Sequence, residues 1–331
     1  MSTEVKEPEP VTAASEKRSR MTKGLYQLLA FGGLLVIYAF FALISPSFRT
    51  SGNLISILFS AVVIGILALG ELFVIITAGI DLSVGTGMTL MGVLSGLVVV
   101  NAGMPAWVGV LAALGGGMVM GCINGLAVSY LKLPPFIATL AMMMIAEGLA
   151  LVVSGSAPIY FDQDPSYGKI STGEIIPGIP NALLVFLVAA IIASVALNKT
   201  ILGRYDVSIG SNAEATRLSG VNVKKWTVAI YTLAGVFTGL AGVMISARLS
   251  SAQPAVGTGY EMNAIAATVI GGASLAGGKG SVSGAVIGAL IISVINNGLQ
   301  IVGVPQEWQT VVLGLVIMGA VMLDSLRRRG N

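Results

Sequence analysis

Long apolar runs separated by short polar segments set the pattern of this chain. The first run, Leu25 to Ile44, holds twenty residues without a charge. At about 1.5 Å rise per residue, a helix of that length spans a hydrocarbon layer of roughly 30 Å. Nine further runs follow, so the pattern predicts about ten transmembrane helices. The eighth, about thirteen residues, is short enough to be broken or partly re-entrant. The later runs lie near Asn53 to Thr77, Ser83 to Val100, Trp107 to Tyr130, Phe136 to Val153, Ala182 to Leu197, Thr227 to Ala247, Asn263 to Leu275, Ser281 to Ile301 and Trp308 to Leu323.

The positions of the basic residues test this count, because Lys and Arg concentrate in cytoplasmic segments. With the N-terminus inside, fifteen of the 18 Lys and Arg residues fall on the inner side. Only Arg49, Lys169 and Arg248 fall outside. Adding or deleting one span would scramble this bias. We therefore expect both termini to face the cytoplasm.

Composition assigns the chain to the membrane class. Hydrophobic residues make up 55% and charged residues only 10%, with a mean hydropathy of +0.91, so there are too few polar side chains to cover a soluble core. Glycine is abundant, at 43 residues, whereas tyrosine and tryptophan number 8 and 3, which favours closely packed helices over an aromatic-girdled barrel. The expected fold class is all-α, a polytopic membrane protein with some short or broken helices.

Polar segments divide the chain into a tail, a membrane domain and two long connections. Residues 1–24 are rich in charge and contain two prolines, which predicts a disordered cytoplasmic tail. The membrane domain is expected over residues 25–326, followed by a basic C-terminal tail at 327–331. Within the domain, the two long connections are an outer loop at 154–181 and an inner loop at 198–226.

The inner loop contains a recognisable short helix. Ser211 and Glu214 stand in the S-x-x-E spacing of a capping box, and Gly220 supplies a left-handed stop, so the helix is expected from Ser211 to Ser219. A helix this short does not hold in water alone and must pack against something. The residues leave two interpretations open: a surface helix that rests on the bundle near acidic lipid, or a docking helix that fits the groove of a partner.

Three acids lie in or beside the apolar runs, where charge is costly and often marks function. Glu71 and Glu147 fall inside the second and fifth spans, and each either lines an aqueous path, stays protonated or bonds to neighbouring hydroxyls. Asp81 falls at a helix break between Gly79 and Gly85, next to Ser83. A structural cap of the following helix is the favoured interpretation of Asp81.

Two repeating features bear on how the helices pack. Glycine recurs every fourth residue in several spans, which predicts faces where backbones approach closely, either as static packing or as surfaces that slide when a pathway opens. Residues 75–82 can also be laid over 268–275, a hint of the internal duplication found in transporters. The glycines are Gly117, Gly121 and Gly125, then Gly280, Gly284 and Gly288, with pairs at Gly92 and Gly96 and at Gly235 and Gly239.

The sequence offers no motif for catalysis or for an internal energy source. Gly278-Lys279 resembles part of a phosphate loop, but that motif needs glycine at 273 and serine or threonine at 280, where the chain has Ala273 and Gly280. With no histidine and a single cysteine, Cys122, the chain forms no Ser-His-Asp site, Cys/His zinc site, internal disulfide or histidine proton relay. We expect a protein that is not an enzyme and holds no cofactor or metal.

Four ordered motifs run through the chain. They are Gly79–Gly85 (GIDLSVG); Asn124-Gly125 with Pro135–Leu140 (PFIATL); Gly203–Tyr205 through Gly210–Ala215 to Leu218–Gly220; and Gly259–Glu261 through Ile270–Leu275 to Gly277–Gly280. In these motifs the chain resembles the membrane-spanning permeases of bacterial sugar ABC importers, the branch that carries ribose, xylose, galactosides and related small polar solutes. The resemblance covers nearly everything from about residue 30 to 326, and the four motifs together are highly specific.

The resemblance implies an assembly in the bacterial inner membrane. Its partners would be a second permease subunit, identical or different, two cytosolic ATP-binding subunits and an extracytoplasmic solute-binding protein, with no nucleic acid. In the family, the loop between the sixth and seventh spans docks on the ATPase, and by analogy ATP-driven closure moves it as a lever. The implied docking residues are Gly210, Ser211, Asn212, Glu214, Ala215, Arg217, Leu218 and Gly220, and the pathway candidates are Glu71, Asp81, Asn124 and Glu147.

We therefore expect a permease subunit that forms the path for a small polar solute, a monosaccharide, driven by ATP hydrolysis on a separate chain. The alternative is an ion-coupled secondary transporter that acts without an ATPase, which the intramembrane acids and the possible repeat support. A purely structural scaffold is disfavoured, because broken helices and buried acids are expensive without a task.

Overall fold

α-Helices carry nearly all the regular structure of this computed structural model, which describes residues 13–162 and 164–329, with side chains described for 28–162, 164–319 and 321–322. Two short strands, β1 (Ile159–Tyr160) and β2 (Ser251–Ala252), pair antiparallel. The α-helices of the described residues are α1 (Ala13–Ile44), α2 (Ser51–Ile76), α3 (Val84–Gly96), α4 (Ala106–Ser129), α5 (Pro135–Ser154), α6 (Pro165–Thr172), α7 (Asn181–Lys199), α8 (Ile201–Ser211), α9 (Ala213–Leu218), α10 (Val223–Leu249), α11 (Tyr260–Ile270), α12 (Val282–Ile301) and α13 (Gln306–Arg329). A 3-10 turn lies at Pro46–Arg49, and a π-helical turn at Leu97–Asn101 extends α3.

Among the described residues, seven helices are long and apolar enough to cross a membrane: α2, α3 with its π-helical extension, α4, α5, α7, α10 and α12. A shorter apolar stretch, Leu28–Ile44, forms the second part of α1. The expected class, an all-α polytopic membrane protein, is confirmed. The count of ten spans and the cytoplasmic position of both termini stay predictions.

Two helices extend into segments that the sequence assigned to the tails. Helix α1 begins at Ala13, so the prediction of a disordered tail fails for residues 13–24; residues 1–12 lie outside the described part. The reason is helix propensity, because Ala, Glu, Lys and Arg in this segment are good helix formers and continue the helix of the span that follows. Helix α13 likewise runs to Arg329.

Helix α2 lies at the centre of the bundle. Of its apolar window 89% is buried, compared with 22% in α5 and 28% in α4 and α7. It packs against α7, α10, α11 and α12, whereas α4, α5 and α7 present broad apolar faces outward. Because no water competes in hydrocarbon, such helices associate through van der Waals packing and hydrogen bonds rather than through the hydrophobic effect.

Glycine faces hold two helix pairs at backbone contact, as their spacing predicted. In the α4 and α10 pair, Gly117 and Gly235 each lie against the other's carbonyl oxygen, so that a Cβ on either would overlap the opposite backbone. In the α11 and α12 pair, Gly284 lies against the backbone of Gly271, and Gly288 against that of Ala267. Larger side chains at these positions would push the helices apart and forfeit their contacts.

The connection between α10 and α11 re-enters the bundle instead of staying at the outer surface. It begins at β2, where Ala252 lies against Gly96 at the end of α3. It continues to Gly257, whose backbone lies against Gly85 in the first turn of α3. The segment therefore follows α3 over about 16 Å, and the eleven-residue α11 begins inside the bundle. This agrees with the prediction that the eighth span is short and partly re-entrant.

The two helix breaks suggested as a repeat have the same hydrogen-bond pattern. After α2, Ala78 N donates to Ile75 O and Gly79 N to Val74 O; after α11, the amides of Gly272 and Ala273 donate to Val269 and Thr268. Ala78 and Gly272 both have positive φ, at 63° and 94°. This is a Schellman-type helix end. The structural register is one residue away from the sequence pairing of 75–82 with 268–275, since Ile76 corresponds to Ile270.

Candidate functional site

The first polar cluster lies at the break between α2 and α3 and is completely enclosed. Glu71, Asp81, Ser83 and Asn124 are 0%, 2%, 0% and 1% exposed. The Asp81 amide donates to Glu71 Oε1 at 3.1 Å, and Asp81 Oδ1 accepts from the amide and the hydroxyl of Ser83 at 2.9 and 2.5 Å. Asn124 Nδ2 donates to Ser83 Oγ at 2.9 Å and lies 3.4 Å from Asp81 Oδ2. We call these four residues the buried network.

The buried network ties three helices together around the break. Ser83, not Asp81, occupies the N-cap position of α3, and its side chain makes no capping bond. The prediction that Asp81 caps this helix is therefore corrected. The Asp81 carboxylate stabilises the turn before the helix instead, because it accepts hydrogen bonds from the amide and the hydroxyl of Ser83. Thr139 on α5 adds a hydrogen bond to Ile80 O at 3.1 Å. Three of the four pathway candidates thus lie together, without exposure to a path.

Glu147, the fourth pathway candidate, lies in a different environment. It is exposed near the middle of α5, a helix with little buried surface. Its carboxylate is close enough to that of Glu261 on α11 for the two to repel each other. Glu261 is buried, and its two oxygens accept from the amide of Gly259 at 3.1 Å. A charge at the bilayer centre costs about 3 kcal/mol, so lipid alone is an unfavourable environment for an ionised Glu147.

Further polar groups lie on the re-entrant segment, on α11 and on α12. Thr258 is exposed, while Asn263 and Asn296 are partly exposed. Asn296 on α12 donates through Nδ2 to Asn263 Oδ1 at 3.1 Å. Irregular backbone within a membrane is tolerated only where protein covers it or water fills the adjoining space. We call Glu147, Thr258, Asn263 and Asn296 the polar face. Asn263 and Asn296 were not predicted, because an uncharged amide inside an apolar run stands out less than an acid and neither residue lies in a motif that marks the pathway.

The inner loop contains the expected short helix, but its cap is different. Helix α9 spans Ala213–Leu218, and the Asn212 side chain accepts from Ala215 N at 2.9 Å. Ser211 is instead the last residue of α8, where its hydroxyl donates to Val207 O at 2.8 Å. The prediction of a Ser211 cap was wrong, because that hydroxyl is already used inside the preceding helix.

One face of helix α9 packs against α8, and the opposite face is exposed. Buried Thr216 donates its hydroxyl to Ser208 O at 2.9 Å, whereas Leu218 is 73% exposed. Glu214 and Arg217 form an exposed ion pair, with Arg217 Nε to Glu214 Oε2 at 3.0 Å. The hydrogen bond from Arg217 holds the pKa of Glu214 below its ordinary value. Gly220 follows with φ of 85°, the left-handed stop that was predicted. The remaining docking residues, Ser211, Asn212 and Ala215, are also exposed.

Gly210, one of the predicted docking residues, faces inward and connects α8 to both helix breaks. Its α-carbon lies against Ile76 O, at the end of α2, and a Cβ there would come within 2.6 Å of Gly278 N. Gly278 N in turn donates to Ile76 O at 2.8 Å. Any displacement of α8 and α9 must therefore move the end of α2 and the loop after α11 as well.

Helix α8 itself was not predicted, although its sequence carries a signal. Gly203, Asp206 and Ile209 recur every third residue and are all buried, which is the pattern of one covered helix face. The charge of Asp206 interrupts the apolar pattern of this face, so the sequence did not indicate a helix here. Both carboxylate oxygens of Asp206 lack a partner among the described residues. Burial raises the pKa of Asp206 well above its ordinary value.

A cavity with a volume of about 260 Å³ lies beside α9. Its walls include Ala213 and Lys224, and also Gly79 and Tyr231. Among the described residues, no group of three or more Asp, Glu, Cys or His side chains is placed to hold a metal ion.

Comparisons with known proteins agree with one another. Residues 53–321 match the family model described as branched-chain amino acid transport system / permease component. The chain is 41% identical over 298 residues to the ribose import permease protein RbsC of Escherichia coli K12, covering 89% of this chain and 92% of the relative. It is 39% identical over 299 residues to the D-allose transport system permease protein AlsC of the same strain, covering 88% and 90%. It is also 34% identical over 356 residues to the xylose transport system permease protein XylH of Haemophilus influenzae, covering 89% and 95%. No solved structure matches the chain.

Proposed function

The chain belongs to the family of membrane-spanning permeases of sugar ABC importers, and from this premise we propose that it forms the translocation path for a monosaccharide, driven by ATP hydrolysis on a partner subunit. The relatives named for ribose, allose and xylose support a pentose or hexose as the solute. The bacterial inner membrane is the proposed location.

The observation that carries the proposal is the construction of α9. This helix presents Leu218 and the Glu214–Arg217 pair outward, as a docking surface requires. It is also joined through α8 and Gly210 to the ends of α2 and α11. A force applied to α9 by an ATP-hydrolysing subunit therefore has a direct backbone route into the membrane domain.

The polar face supports a second permease subunit in the assembly. Glu147 and Thr258 are exposed on a single chain, and lipid is a poor solvent for both. A second subunit, identical or related, would enclose water against the polar face. The polar groups would then be hydrated, and the free-energy cost of exposing them to lipid would disappear. The path then runs between the two subunits, and an extracytoplasmic binding protein delivers the solute to it.

The test is ATP-dependent uptake of radiolabelled D-ribose, D-allose or D-xylose into proteoliposomes. The chain is reconstituted alone, or with a candidate ATP-hydrolysing subunit and a candidate solute-binding protein from its own genome. We expect uptake only with the full set and ATP. Uptake by the chain alone under an ion gradient would support a secondary transporter and overturn the proposal.

A matched pair of variants tests the docking role of α9. Leu218→Asp replaces a leucine that is 73% exposed, and Leu131→Asp replaces one that is 72% exposed in the connection between α4 and α5. We expect Leu218→Asp to abolish co-purification with the ATP-hydrolysing subunit, and Leu131→Asp to preserve it. Equal retention of the subunit by both variants would contradict docking at α9.

A further inference from the structure

Resting on the proposed function, we infer that the polar face is a sugar-binding site: Glu147, Thr258, Asn263 and Asn296 hydrogen-bond the hydroxyls of a neutral monosaccharide during passage. All four are exposed or partly exposed. They come from α5, the re-entrant segment, α11 and α12. Asn263 donates to the carbonyl of Gly259, the residue after Thr258, and accepts from Asn296, while Glu147 lies close enough to Glu261 for their charges to interact.

The chemistry of these groups matches a polyhydroxylated solute. A carboxylate accepts hydrogen bonds, while amides and hydroxyls both donate and accept. Glu147 has no ion-pair partner among the described residues, so its acceptor capacity is free. Both oxygens of Glu261, which lies behind this surface, accept from the amide of Gly259. Two neighbouring carboxylates disfavour an anionic solute such as a sugar phosphate.

The amides retain hydrogen-bonding capacity beyond the bonds they already make. Asn296 donates to Asn263 at 3.1 Å, and the adjacent Asn297 donates to Asn53 at 2.9 Å. Asn263 donates through Nδ2 to Gly259 O at 3.1 Å. A side-chain amide has two donor hydrogens, and Asn263 and Asn296 each use one of them in these bonds, so a second donor on each can bind water or a solute hydroxyl.

Weak and multiple contacts suit transport rather than storage. A hydrogen bond to a charged group is worth about 1.5–3 kcal/mol and a neutral one about 1 kcal/mol, so that loss of Glu147 should reduce uptake at least about tenfold and loss of one amide about fivefold. A solute held by such contacts still leaves when the path opens to the other side.

The experiment measures uptake of D-ribose by the full assembly in proteoliposomes. Glu147→Leu is compared with Met144→Leu, an exposed position one turn earlier on α5, and Asn263→Leu with the adjacent exposed Met262→Leu. Glu147→Gln, which keeps the shape of the side chain, guards against misfolding. Thermal midpoints and co-purification with the ATP-hydrolysing subunit check that each variant is assembled.

We expect uptake to fall about tenfold or more in Glu147→Leu, by a smaller factor in Glu147→Gln, and about fivefold in Asn263→Leu, while both methionine variants transport like the wild type. Wild-type rates in Glu147→Leu and Asn263→Leu, or equal losses in the methionine controls, would overturn the inference. A wild-type assembly that imports none of the three sugars would overturn the proposed function itself, which distinguishes the two failures.

Discussion

The buried network and the polar face contain the same kinds of residue in opposite environments. The buried network combines two acids with one asparagine and a serine, whereas the polar face combines one acid with two asparagines and a threonine. In the buried network both acids are enclosed: Asp81 accepts from Ser83, and Glu71 accepts from the Asp81 amide through Oε1, while its Oε2 has no partner among the described residues. On the polar face Glu147 is exposed and unpaired among the described residues. The function of an acid within a span therefore depends on its exposure. An enclosed acid, such as Asp81, stabilises the fold, whereas an exposed acid, such as Glu147, is available to water and solute.

The largest expected effect comes from opening the buried network. Asp81→Leu removes the acceptor of both Ser83 groups and leaves Ser83 and Asn124 with unsatisfied donors. Each unsatisfied buried group costs about 1–3 kcal/mol, so we expect a loss of about 3 kcal/mol or more in the free energy of unfolding. Thermal unfolding of the detergent-purified protein measures this. Glu147→Leu serves as the control and should unfold like the wild type; an equally large drop there would remove the distinction between the two regions.

The second-largest expected effect comes from disturbing the backbone contact through which α8 and α9 are joined to the ends of α2 and α11. Gly210→Val should force α8 away from Ile76 and Gly278, at a cost of about 1–3 kcal/mol for overpacking. We expect the stimulation of ATP hydrolysis by solute-loaded binding protein to be lost. Gly115→Val, at a position with open space around it, should retain that stimulation. Normal stimulation in Gly210→Val would exclude this backbone contact as the route.

Features that depend on local sequence pattern could be predicted from the sequence, whereas features that depend on tertiary environment could not. Apolar run length predicted the seven described helices that are long and apolar enough to cross a membrane, and glycine spacing predicted the α4 and α10 contact, because both depend on local periodicity. The different roles of Glu71 and Glu147 could not be predicted, since both are acids inside apolar runs and only tertiary packing separates them. Asn212 could not be distinguished from Ser211 as the cap, because both residue types cap helices and neighbouring α8 decides which side chain is free.

The smallest expected effect is that of the exposed ion pair on α9. Glu214→Ala should leave the thermal midpoint unchanged, because a solvent-exposed pair contributes little, and should weaken docking by less than about fivefold. The pKa of Glu214 is lowered by Arg217, so the contribution of the pair is present above the ordinary carboxyl pKa and is lost only as pH falls through the lowered value. The difference in docking affinity between Glu214→Ala and the wild type should therefore be constant from pH 7 to pH 5. A difference that disappears within that range would contradict this assignment.

The central claim is that water and solute reach the polar face and not the buried network. The most direct test is the rate at which a small membrane-impermeant thiol reagent modifies single cysteines, introduced as Glu147→Cys or Ser83→Cys in a Cys122→Ser background of the assembled importer. We expect modification of Glu147→Cys, slowed while D-ribose-loaded binding protein and ATP drive transport, and no modification of Ser83→Cys. Rapid modification of Ser83→Cys together with an inert Glu147→Cys would contradict it.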